Sequence, residues 1–199
     1  MDYYQLIASN FQATIEVLAM SVDDLAEPIA QGSQLMSEAL LADRKILCCG
    51  NGADAALAQL LACSLLDQYE RERPAQPAQC QAADSPTVTP IGDRKGIHEI
   101  FSRPGRAQGP PGDILVCINS NPSTPRNLQQ AFGAAAEREM QTLVISAGEP
   151  ADTAGNPDMV TIGAGTGTRH RTIEIQTMII HCLCELLDQH LFGPIHRES

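Results

Sequence analysis

The sequence predicts an α/β fold in which a parallel sheet is covered on both faces by helices, and three observations predict it. Residues 45–49, 113–118, 142–146 and 159–162 are short apolar runs of strand length. Longer stretches with helical character alternate with them, the pattern of a parallel sheet rather than of hairpins. Polar or glycine-rich loops follow the runs at 50–54 and 119–125, where such sheets bind ligands.

The elements follow in order. Over the first 27 residues Ile7, Phe11, Ile15, Leu18, Val22 and Leu25 recur at spacings of three and four, an amphipathic stripe that must pack on something. Its cover is either its own domain or a helix of another subunit. Pro28 suits the first turn of a new helix, and a second helix is expected from there to about Ala42. Lys45–Cys49 is a buried strand that enters Gly50-Asn51-Gly52, and residues 53–68 form a helix. Residues 70–112 carry seven prolines. They are expected to be loop apart from a short strand at Ala78–Ala82 and a helical turn at Ile97–Phe101. Beyond them come strand 113–118, helix 128–139, strand 142–146, a Gly/Pro-rich loop, strand 159–162 and a long apolar helix at 172–192. One domain spans 1–199, with N-terminal helices at 1–42, an α/β core at 43–168 and a C-terminal helix and tail at 169–199.

Bulk composition narrows the function. A net charge of −11 argues against direct nucleic-acid binding, which needs a basic surface. No apolar run is long enough to span a membrane, and the N-terminus has no secretory pattern, so a cytoplasmic location is expected. Seven cysteines, none in a CxxC pair, read as reduced and mostly buried thiols.

Two loops could carry chemistry. Gly50-Asn51-Gly52-Ala53-Asp54 joins a strand to a helix, so backbone and helix N-terminus can approach an anion. Asn119-Ser120-Asn121-Pro122-Ser123-Thr124 stands in the same position after its strand, and its hydroxyls and N–H groups can cradle a phosphate. Each loop also has a purely structural explanation, as a tight turn or a helix cap. The ligand-binding candidates are Asn51, Gly52, Asp54, Asn119, Ser120, Asn121 and Thr124.

Together with Glu72-Arg73-Pro74, Gly92-Asp93, Glu99–Ser102 and Gly112–Leu115, these loops resemble the SIS-domain phosphoheptose isomerases over nearly the whole chain. The segments Lys45–Gly52 and Cys182–Asp188, with Leu191-Phe192, resemble most the branch associated with the replication initiator DnaA, the DiaA-like proteins. The resemblance implies a three-layer, flavodoxin-like SIS domain. It also implies a homotetramer, or a homodimer, in which N- and C-terminal helices form a bundle and sites lie between subunits.

The isomerase moves a proton between adjacent carbons of an open-chain sugar phosphate, which needs a general base and a general acid. The resemblance implies a histidine and a glutamate after the glycine loop, but Leu60 and Ser64 stand there, so zinc is not expected and no cofactor is implied. Ile173 replaces a glutamine, while His181 and Asp93 match and are the only catalytic candidates. Asp54 replaces a serine that would hold phosphate. These losses lead to the expectation of a non-catalytic protein that binds DnaA through Leu191 and Phe192. The alternative is a phosphoheptose isomerase acting on sedoheptulose 7-phosphate.

Overall fold

The computed structural model describes residues 2–148 and 159–194. Five parallel strands form one sheet: β1 (Ile46–Gly50), β2 (Ala78–Cys80), β3 (Ile114–Asn119), β4 (Gln141–Ser146) and β5 (Met159–Gly163). Their order is β2-β1-β3-β4-β5, the doubly wound order of flavodoxin-like sheets. The helices are α1 (Tyr3–Leu41), α2 (Ala53–Leu66), α3 (Ser85–Lys95), α4 (Ser102–Gln108), α5 (Arg126–Glu137) and α6 (Arg169–Phe192).

Alternation along the central strands sorts the core into two layers. Ile46, Cys48, Ile114, Val116, Ile118, Leu143 and Ile145 face α1, α2 and α6. Leu47, Cys49, Leu115, Cys117 and Val144 face the other way, onto Ile100, Phe101 and Phe132. β3 is buried on both faces along its whole length, which explains its unbroken apolar run. The cysteines serve this packing: Cys48, Cys49, Cys80, Cys117 and Cys184 are buried, and Cys63 alone among the seven is exposed. Burial pushes the Cys184 thiol up to about 12.

Two expectations are corrected. The first 42 residues form one 39-residue helix, not two, and Pro28 lies inside it. An interior proline removes one helical hydrogen bond and costs about 3 kcal/mol. Burial on both sides of the proline offsets this, because Leu25, Ile29 and Met36 continue one stripe onto the sheet and α6. At Gly32 the helix lies so close that a Cβ would stand 3.1 Å from Leu143 and 3.3 Å from Ile162. Second, the region expected to be mostly loop contains α3 and α4. Asp84 caps α3 by accepting from the Thr87 N–H, and Pro86 and Pro104 fall in first turns, where no helical bond is lost. No α3 residue is buried, so no apolar period announced it. Most of the Gly/Pro-rich loop and the last residues of the tail lie outside the described residues.

One buried ion pair fastens the layer of α2 and α6. Arg73 Nε meets Asp188 Oδ1 at 2.7 Å, with both side chains 2% exposed. The same guanidinium donates to the carbonyls of Ser64 (2.7 Å) and Leu65 (2.9 Å) at the end of α2, where the Leu65 carbonyl also accepts from the Gln76 N–H. Removing one partner strands a buried charge. Arg73→Met is therefore expected to lower the unfolding free energy by about 3–5 kcal/mol in chemical denaturation, and the Arg73→Met, Asp188→Leu double variant to recover part of it.

Candidate functional site

The two loops singled out in the sequence stand side by side, because β1 and β3 are neighbours paired as far as Gly50 and Ile118. The first turns sharply out of β1. A Cβ at Gly50 would lie 2.5 Å from the Asp54 carbonyl oxygen, so only glycine lets α2 start there. Gly52 has φ +60°, a left-handed conformation that suits glycine. Asn51 continues across the gap: its amide exchanges two hydrogen bonds with that of Asn127 in the first turn of α5, at 2.7 and 3.1 Å. This reciprocal pair joins the walls. Asn127 is a residue the sequence analysis did not select, since nothing marks which asparagine will face another.

The second loop is organised by its own first residue. The Asn119 carboxamide accepts from the Asn121 backbone N–H at 3.3 Å and donates to the Asn121 and Ser123 carbonyls at 3.0 and 3.2 Å. The Asn119 backbone carbonyl is held at 3.1 Å by the buried Gln176 of α6. Asn119 and Ser120 are buried, Asn121 and Thr124 half-buried. Arg169, at the start of α6, reaches the Ser120 hydroxyl with its Nε at 2.9 Å. Sequence reasoning missed Arg169 because 49 residues separate it from its partner.

Asp54 is 1% exposed, and neither of its oxygens has a hydrogen-bond partner among the described residues. It heads the buried stripe of α2 that continues through Leu57, Ala58, Leu61 and Leu65. Beneath the loops the Cys49 and Cys117 sulfurs lie 3.2 Å apart, and their mutual hydrogen bond, with burial, raises the Cys49 thiol well above its ordinary range.

The two catalytic candidates are not brought together within one protomer. His181 belongs to α6, in the layer packed on one face of the sheet, with its ring 5.9 Å from that of Tyr69. Asp93 is exposed on α3, whose Val88 and Ile91 pack on the opposite layer. Leu191 packs against the core, and the Arg71 guanidinium covers the Phe192 ring at 5.3 Å. Both thus close the end of α6 on its own subunit. No helix among the described residues is long and apolar enough to cross a membrane.

The amide pair yields a direct expectation. Asn127→Ala leaves Asn51 without its partner and should cost about 1–3 kcal/mol, read as a lower midpoint of thermal unfolding. Asn127→Gln should not restore it, because the longer side chain cannot keep the reciprocal geometry.

Comparisons with known proteins bear on this site. A family model described as "SIS domain" matches residues 10–147. The phosphoheptose isomerase of Halorhodospira halophila is 39% identical over 196 residues, 97% of this chain and 98% of that protein. That of Chromohalobacter salexigens is 37% identical over 196 residues, again 97% of this chain and 98% of its own. Among solved structures, a phosphoheptose isomerase from Francisella tularensis superposes with a TM-score of 0.88 at 29% identity, covering 95% of this chain and all of that one. These findings overturn the expectation of a non-catalytic protein that binds DnaA: the relatives matched along nearly the whole chain bear an enzyme's name. The departures at Leu60, Ser64, Ile173 and Asp54 were too narrow a ground for that expectation, since they set a few positions against the likeness of the whole chain. With its five-stranded parallel sheet and its two cleft loops in place, the chain belongs to the SIS-domain family.

Proposed function

We propose that the chain is a phosphoheptose isomerase, interconverting sedoheptulose 7-phosphate and glycero-manno-heptose 7-phosphate. The observation that carries this is a polar cleft, walled by Asn51–Asp54 and Asn119–Thr124, in a chain that aligns end to end with curated phosphoheptose isomerases. The reaction moves a proton between two adjacent carbons and polarises a carbonyl. His181 and Asp93 are assigned as its proton-transfer groups. Since they stand on opposite faces of one protomer's sheet, the pair is completed across subunits, with Asp93 arriving from a neighbour.

The assembly is a homotetramer, with a homodimer as its smaller unit. Tyr3, Tyr4, Leu6, Ile7, Phe11, Ile15, Met20 and Val22 expose their side chains along α1, and such a run of large apolar residues suits a helix bundle with a second copy. The cytoplasm is the assigned compartment, in keeping with seven free cysteines.

Some members of the family are expected to hold zinc, and the residues of this chain do not fit it. Leu60 packs against the core and offers no donor. The Ser64 hydroxyl is engaged by the Cys184 sulfur. No cluster of three histidine, cysteine or acidic side chains suited to a metal occurs among the described residues.

Purified protein incubated with sedoheptulose 7-phosphate should form the aldose product, followed by NMR or chromatography. His181→Ala and Asp93→Ala should each lower kcat by about 10²–10⁴-fold. Absence of turnover above the uncatalysed background in the wild-type protein would sink the assignment. Light scattering should give a mass several times that of one chain, and Phe11→Glu should reduce it.

A further inference from the structure

Arg169, His170 and Arg171 crowd the first turn of α6, with no acidic residue among them. A helix N-terminus already carries partial positive charge, so cations are disfavoured there and an anion is attracted. Two of the three side chains turn towards α1. Arg171 meets Glu174 at 2.8 Å and the Asn10 side-chain oxygen at 2.9 Å. His170 lines the same surface groove as Arg171, beside Phe11 and Ile15.

Arg169 turns the other way, into the cleft. Its Nε is spent on Ser120, a buried hydroxyl of the β3–α5 loop. It makes no ion pair among the described residues. The contact holds the guanidinium by one edge, and among the described residues the four N–H donors of its two Nη groups have no hydrogen-bond partner. A planar fork held in this way matches two oxygens of a phosphate.

We propose that Arg169 anchors the phosphate of the sugar ligand and sets the preference of the cleft for phosphorylated over plain sugars. The sugar's identity rests on the isomerase assignment; the phosphate anchor does not. The anchor is a positioning group, and no proton transfer is assigned to it.

Calorimetric titrations at low ionic strength test it with three ligands: sedoheptulose 7-phosphate, unphosphorylated sedoheptulose and inorganic phosphate. Arg169→Ala should weaken both phosphate ligands tenfold or more and change the plain sugar by less than twofold. Arg169→Lys should fall between, since an ammonium keeps the charge but lacks the fork. If Arg169→Ala does not fold, Arg169→Gln takes its place. Unchanged affinity for both phosphate ligands, or an equal loss for the plain sugar, would overturn the anchor. The two assignments fail separately. Arg169-dependent phosphate binding without turnover removes the isomerase and keeps the anchor, whereas turnover with KM unchanged in Arg169→Ala removes only the anchor. A wild-type protein that binds neither phosphate ligand removes both.

Discussion

Much of this structure depends on two opposite charges that never see bulk water. Arg73 and Asp188 are buried together; three backbone carbonyls also hold the guanidinium, while the second oxygen of Asp188 has no hydrogen-bond partner among the described residues. Here the guanidinium closes the end of α2, grips α6, and fixes the chain as it turns towards β2. Both helices begin at the cleft and end at this pair. A clamp at one end of the layer therefore sets the angle at which the other end presents its first turns to a ligand.

At the cleft itself the protein uses amides where a charged site would be costly. The Asn51–Asn127 exchange spans the gap between β1 and β3 without adding charge, and Asn119 shapes its loop by the same means. Against a net charge of −11, an arginine laid on the buried Ser120 hydroxyl is a large local contrast. The site is then selective through the position of a few donors rather than through an abundance of charge.

Much of this fold was legible from the sequence. Runs such as residues 114–118 and 143–145 lie in central strands buried on both faces, so their apolar character is continuous. The glycine loop was legible because its backbone geometry demands particular residues. What escaped notice had a physical reason in each case. Pro28 signals a helix end locally, but packing of Leu25, Ile29 and Met36 overrides it. α3 buries no residue fully and packs only Val88 and Ile91 on the core, too few to set a period. Arg169 and Asn127 act through partners 49 and 76 residues away, a relation that only the folded chain reveals. The expectation drawn from Leu60, Ser64, Ile173 and Asp54 went astray by weighing single positions, whereas the likeness runs along the whole chain.

The cysteines carry a practical consequence. Burial raises the thiols of Cys48, Cys80, Cys182 and Cys184, and it helps raise that of Cys49, so each keeps its proton and resists alkylation at neutral pH. Cys63 stands apart on the outer side of α2, facing solvent. A fluorophore carried there would sit on the very helix whose first turn forms one wall of the cleft. The native chain thus comes with its own reporter position, and occupancy of the site can be followed optically without altering the residues that bind.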